Sequence, residues 1–153
     1  MRISAKADYA IRALLELALA DGPSVTTCDA IGAAQDVPVK FLRNVIMPEL
    51  RRAGLVVSTR GPEGGFRLAR PANLTTVADI MRAVDGPLAT VQGIAPQDVS
   101  YSGTAEVLQP LWIATRAGLR GVLENVHLGH LTAGQLPRKV AKLLDDPAAW
   151  ESV

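Results

Sequence analysis

The sequence predicts a mainly α-helical chain with a small β-hairpin wing: a winged helix-turn-helix domain followed by a long dimerisation helix. Three observations predict it. Leu42, Val45, Ile46 and Leu50 recur at helical spacing, opposite a basic, hydrogen-bonding face of Lys40, Arg43, Asn44, Met47 and Arg51. Residues 55–59 and 66–69 then read as two short strands around a glycine-rich turn, Arg60-Gly61-Pro62-Glu63-Gly64-Gly65. Further on, Trp112, Thr115, Leu119, Val122 and Val126 are spaced 3, 4, 3, 4, the seam of a paired helix.

In chain order, Ser4 is placed to cap a helix over 5–20. Ala10, Leu14, Leu17 and Ala18 make one apolar stripe, and Ile11, Leu15 and Leu19 a second. So wide an arc predicts packing on two sides, against a core and against either another subunit or the C-terminal region. Arg2, Lys6 and Tyr9 sit at the start of this helix, where phosphate can bind or where the residues are simply solvated. Residues 21–24 read as a loop, and Val25 as the start of a strand pairing with the wing. Thr26 and Asp29 have capping-box spacing for a short helix over 27–34, with Ala30, Ile31 and Ala34 inward and Thr27 at its open end. Gln35-Asp36 turns the chain into the reading helix, expected over 37–53 and ended by Gly54. Pro48 removes a backbone bond to the Asn44 carbonyl and predicts a bend, not a break.

Beyond the wing, Thr75 or Thr76 caps a helix over 77–84, with Val77, Ile80, Met81 and Val84 inward, ended by Asp85-Gly86-Pro87. Residues 88–103 show no period but carry Leu88, Val91, Ile94, Val99 and Tyr101, which predicts an ordered loop against the body. The long helix is expected over 104–127, with Pro110 near its start and Leu108, Leu111, Gly118 and Gly121 broadening its face. Thr132 reads as the beginning of a final helical region, with Val140, Leu143 and Leu144 inward and Trp150 pinning the tail. The expected organisation is a DNA-binding domain over 1–87, a hinge or effector segment over 88–103, the dimerisation helix over 104–127, and a tail over 128–153 packed on the body.

The formal net charge is only +1, but its distribution is uneven: residues 36–70 hold seven Lys/Arg against three Asp/Glu. The excess of positive charge falls on the reading layout. No apolar run reaches the roughly 18 residues of a membrane span, and no leader segment is evident, so the expected location is cytoplasmic. One cysteine excludes an internal disulfide and any multi-cysteine metal site within one chain. Cys28, near a helix start, is either a redox-sensitive thiol or a small buried packing residue. His127 and His130 are too few for a closed zinc site. No nucleophile–base or paired-carboxylate arrangement argues for an enzyme, and no cofactor or metal is expected.

The N-terminal Ser4-Ala5-Lys6-Ala7-Asp8-Tyr9-Ala10, the wing from Leu55 to Phe66, the Ala83-Val84-Asp85-Gly86-Pro87 corner and the long helix together resemble the Rrf-two family of bacterial winged helix-turn-helix regulators (IscR/NsrR/CymR-like). The likeness covers nearly the full length. It implies that Lys40, Arg43 and Asn44 contact bases and that the wing Arg60, with Gly61 beside it, approaches the minor groove. Arg51 and Arg52 suit phosphates, and Lys6, Tyr9 and Thr27 complete the expected DNA contacts. Many members of the family hold a cluster with three cysteines before the dimer helix; residues 88–104 contain none. The expectation is therefore a clusterless homodimeric repressor on a pseudo-palindromic operator, with double-stranded DNA and a second copy as partners and an unidentified small molecule as a possible effector. The alternatives are a winged-helix protein-interaction module and a thiol switch through Cys28.

Overall fold

The computed structural model describes residues 2–20 and 22–151. Its elements are α1 (Ala5–Leu19), α2 (Cys28–Gln35), α3 (39–52), the strands β1 (Val56–Thr59) and β2 (Gly65–Leu68), α4 (Val77–Asp85), α5 (Leu108–Leu123), α6 (Leu128–Thr132) and α7 (Arg138–Ala141). The architecture is a winged helix-turn-helix, mainly helical with one antiparallel hairpin.

α1 runs through the middle of the core. Ser4 caps it: its Oγ accepts from the Ala7 amide at 2.9 Å and donates to Asp85 Oδ2 at 2.6 Å, tying the start of α1 to the end of α4. Ala7, Ala10, Ala13, Leu14 and Leu17 are buried, and α1 packs against α2, β2, α4 and α6. Ile11 and Leu15 are partly covered, while Leu19 is exposed. Of the two coverings predicted for its second side, α6 shows the C-terminal region to be one.

The expected loop at 21–24 begins on Asp21, outside the described residues; Gly22 and Pro23 turn. Pairing with the wing falls on Thr26, not Val25. Thr26 and Phe66 exchange both backbone bonds, at 2.8 and 2.9 Å. With Thr26 held in the sheet, the cap of α2 moves to Thr27, whose Oγ1 accepts from the Ala30 amide at 3.1 Å. The inward face moves with it: Cys28, Ile31 and Gly32 are buried, and Ala30 and Ala34 are exposed.

α3 is continuous but not uniform. Val39–Phe41 is α-helical, Leu42–Ile46 is a π-turn, and Met47–Arg52 is α-helical again. The Met47 amide bonds to the Leu42 carbonyl, five residues back. A wider turn absorbs the donor that Pro48 lacks, so the predicted bend takes the form of a π-bulge. The bulge also shifts the helical phase. Leu42 and Met47, five apart, now share the inner face and are both fully buried, so Met47 leaves the basic face expected for it. Gly54, at φ +70°, closes α3 with a Schellman cap: its amide bonds to the Arg51 carbonyl and that of Leu55 to the Leu50 carbonyl.

β1 and β2 pair from Val56↔Leu68 to Thr59↔Gly65. Thr76 caps α4 in a full capping box with Asp79, and Val77, Ile80, Met81 and Val84 are buried as expected. Residues 88–103 form an ordered segment: Leu88 and Pro96 are buried, though Ile94 is exposed. Gln109 Nε2 holds the segment by donating to the Val99 carbonyl at 2.6 Å, and Trp112 Nε1 donates to Tyr101 Oη at 3.2 Å.

The long helix is shorter than predicted. It starts at Leu108 and ends at Leu123, because the chain straightens to pair with Thr76: the Val77 amide bonds to the Val126 carbonyl and the Leu128 amide to the Thr75 carbonyl. Val126 and Leu128 are thereby drawn into the same core as α1 and α4. Thr132 ends α6 instead of beginning a helix. In the tail Val140 is buried, but Leu143 and Leu144 are exposed. Trp150 is 72% exposed and bonds only to the tail's own Leu144 carbonyl, so it does not pin the tail to the body. No helix among the described residues is long and apolar enough to cross a membrane.

Candidate nucleic-acid interface

α2 and α3 are joined by a tight turn in which Asp36 takes the left-handed conformation, φ 52°. α3 lies with Leu42, Ile46, Met47 and Leu50 against the core, each fully buried. That fixes the roll of the helix and turns Lys40, Arg43, Asn44 and Arg51 outward; all four are exposed. Lys40 and Asn44 have no side-chain hydrogen bond among the described residues. Arg43 is poised by Asp29 of α2, its Nη2 2.8 Å from Asp29 Oδ2. Both side chains are well exposed, so the pair orients Arg43 at little energetic cost to its release. Arg51 reaches Ser58 Oγ of β1 at 3.4 Å, which leans it towards the wing.

The wing places Arg60 and Gly61 at its tip, both exposed, with Gly61 at φ +106°. Thr26 bridges to Phe66, whose hairpin partner Ser58 is next to the last pair before the turn, Thr59↔Gly65, so the bridge braces the hairpin just behind Arg60 and Gly61. The residues expected at the start of α1 are more engaged. Lys6 pairs with Glu49 of α3 at 3.2 Å. Tyr9 packs edge-on against Phe41, ring centroids 6.2 Å apart, and Arg12 lies over the Tyr9 ring. Lys6 and Tyr9 thus hold α3 onto α1, and the hydroxyl of Thr27 caps α2. Sequence reasoning missed the supporting partners: Asp29 beside Arg43, Glu49 beside Lys6, and Arg12, which bonds to Asp8 at 3.0 Å and to Gln35 at the end of α2. Arg12 and Asp8 carried a signal, their i,i+4 spacing; the others meet only through tertiary packing.

Cys28 lies in the first turn of α2 but is 5% exposed. Burial pushes its thiol above the ordinary value; Arg43 draws it back and Asp29 raises it further. A buried thiol shifted in this direction has little thiolate character, which favours the packing reading of Cys28 over the redox one. His127 and His130 stack, ring centroids 3.4 Å apart, and cap each other: each Nδ1 accepts the other's backbone amide, at 3.2 and 3.3 Å.

Along α5 the predicted seam divides. Trp112, Leu119 and Val122 are half-buried, Thr115 is exposed with its hydroxyl on the Leu111 carbonyl, and Val126 lies past the helix in the core. The 3-4 rhythm outlasts the helix, so Val126 is not a surface position. The outward row is instead Leu111, Ala114, Thr115 and Gly118.

Residues 3–134 match the model of the Rrf2 family, described as an iron-dependent transcriptional regulator. A Mycobacterium tuberculosis protein named "Putative HTH-type transcriptional regulator Rv1287" is 47% identical over 99% of this chain and 94% of its own. The HTH-type transcriptional regulator IscR of Cereibacter sphaeroides is 34% identical over 89% of this chain and 90% of its own. The solved structure of CymR, the global cysteine regulator of Bacillus subtilis, superposes with a TM-score of 0.74 at 29% identity, covering 88% of this chain and 98% of that one. Among the described residues no donor set fits the iron of the family description. The sole cysteine is buried in α2, both histidines use Nδ1 on backbone amides, and no three His, Cys, Asp or Glu side chains gather among the described residues. These matches, joined to an outward cationic helix and a wing, make the chain a transcriptional regulator of the DNA-binding type and not an enzyme: it belongs to the Rrf2 family.

Proposed function

We propose that this regulator acts as a homodimer without an iron–sulfur cluster, repressing from a pseudo-palindromic operator. Each subunit offers α3 to the major groove and the wing to the minor groove. The observation that carries the reading is the set Lys40, Asn44 and Arg60: all exposed, all without a protein partner among the described residues, and all on the two elements that this fold presents to a duplex. Asn44 is the residue type that reads adenine with two bonds, and Arg43 and Arg60 suit guanine or a narrow groove. Arg51, Arg52 and Thr27 lie where phosphates would pass, and Lys6 and Tyr9 support α3 from behind it. The outward row of α5 pairs with its copy and sets the spacing of the two reading helices. An effector acting on the 88–103 segment would alter that spacing, because Gln109 and Trp112 couple the segment to α5.

The test is a gel-shift series on genomically footprinted sites and on random DNA across a range of salt. Affinity falls steeply with salt on both, and the footprinted sites keep an excess affinity that Asn44→Ala removes. Equal loss on every sequence from Asn44→Ala would count against base reading, and salt-independent binding against phosphate contact.

A further inference from the structure

Where the end of α4, the start of the 88–103 segment and α5 meet, there is a concavity of about 420 Å³ lined by Arg82, Gly86, Pro87, Leu88, Arg116 and Arg120. Half of its lining is arginine, and the three come from two helices. Arg82 projects from α4; Arg116 and Arg120 stand one turn apart on α5. Arg82 and Arg120 converge on a single atom, Glu124 Oε1, with Arg120 Nε at 2.9 Å and Arg82 Nη2 closer still. Arg116 has a neutral partner only, the side-chain oxygen of Gln97, at 2.5 Å. Among the described residues, three guanidinium groups thus face one carboxylate. The bonds from Arg82, then Arg120, hold the Glu124 carboxyl below its ordinary range.

A guanidinium fork binds a carboxylate through paired, charge-assisted bonds. Glu124 already shows what a carboxylate does at the Arg82–Arg120 half. The Arg116 half holds an amide oxygen where an anion would bind better. Between the halves Gly86, Pro87 and Leu88 offer a short apolar wall. We propose that this pocket binds a small di- or tricarboxylate anion, one carboxylate taking the place of Glu124 on Arg82 and Arg120 and another replacing Gln97 on Arg116.

The test is titration calorimetry of the purified full chain at constant ionic strength, with succinate and citrate as probes and acetate and sulfate as comparisons. Succinate or citrate gives saturable binding, weakened about tenfold or more by Arg116→Ala through loss of one charge-assisted pair. Glu124→Gln removes the resident competitor and tightens binding. That opposite sign separates a site from a loss of folding. No saturation by either polycarboxylate, unchanged affinity in both variants, or acetate or sulfate binding as well as citrate overturns the proposal. No DNA is present, so this outcome and the outcome of the gel-shift test are read independently.

Discussion

α3 and α5 are both amphipathic in sequence and resolve in opposite ways. α3 turns Leu42, Ile46, Met47 and Leu50 wholly into its own chain. α5 runs sixteen residues and buries none of them, leaving Leu111 and Ile113 exposed. An apolar row names a face, but not what covers it. For α3 the cover is local: α1, α4 and β1 lie against it. For α5 the cover is the loop held by Gln109 and Trp112, together with α4 at its C-terminal end, while among the described residues the row Leu111, Ala114, Thr115, Gly118 stays exposed. The helix proposed to read DNA is packed into its own chain, and the helix proposed to pair with a copy is left open.

Core truncation is the strongest way to break this contrast. Leu50→Ala opens a cavity in a fully buried site and lowers stability by about 2–5 kcal/mol, read as a fall in thermal midpoint. Leu111→Ala, at a position 49% exposed, changes it by no more than about 0.5 kcal/mol when followed at concentrations where the chain is a monomer. Similar falls for the two variants would erase the distinction. Gly118→Glu sharpens it. A Cβ added there meets no atom within 4 Å among the described residues, so folding is spared while a paired α5 is forced apart. Sedimentation then shows a dimer becoming a monomer. A dimer that survives the change would put the interface elsewhere.

On the reading side the expected effects are smaller. Asn44→Ala costs about 1–3 kcal/mol at a preferred site and flattens the preference at one base pair. Arg60→Ala weakens all sequences more evenly and lowers the salt slope by about one, if its contact is to phosphate or to the minor groove without base choice. A gel-shift series separates the two patterns, and neither variant should move the thermal midpoint, since both side chains are exposed and unbonded within the chain.

Much of this was legible in the sequence because local chemistry decides it. Ser4 and Thr76 cap where a hydroxyl can reach an amide three residues on, Gly54 closes α3, and the two wing strands fall on either side of the glycine-rich turn. What was not legible depended on contacts between distant residues. A strand from Val25 against the wing was expected, but not that Thr26 would be its pairing residue, so the cap of α2 and the inward places of Ala30 and Ala34 were misassigned while Ile31 was not. Pro48 announced a bend, but not that a π-bulge would turn Met47 inward. The heptad rhythm ran on through Val126, although pairing with Thr76 had already ended the helix. Of the candidate site, the outward cations of α3 and the wing were readable from spacing. Asp29, Glu49 and the arginine cluster were not: Asp29 and Glu49 find Arg43 and Lys6 only when α2 and α1 pack on α3, and Arg82, Arg116 and Arg120 gather only where α4 and α5 come together.

The smallest effect tests the joint between the two regions. His127 and His130 hold the turn from α5 into α6 by accepting each other's amide on Nδ1, which requires both rings to be neutral with the proton on Nε2. Protonation of His127 turns its Nδ1 from an acceptor into a donor and breaks its bond to the His130 amide. Burial, and then the charge of His130, lower the His127 pKa below its ordinary 6.5. A lowered folded value means the unfolded chain binds the proton first, so the contribution to stability is complete above pH 6.5 and is lost as pH falls through the lower folded value. The thermal midpoint should therefore drop further between neutral pH and pH 5.5 in the native sequence than in His127→Asn, which keeps a capping oxygen but cannot titrate. Parallel pH profiles for the two would show that the stacked pair contributes nothing to the joint.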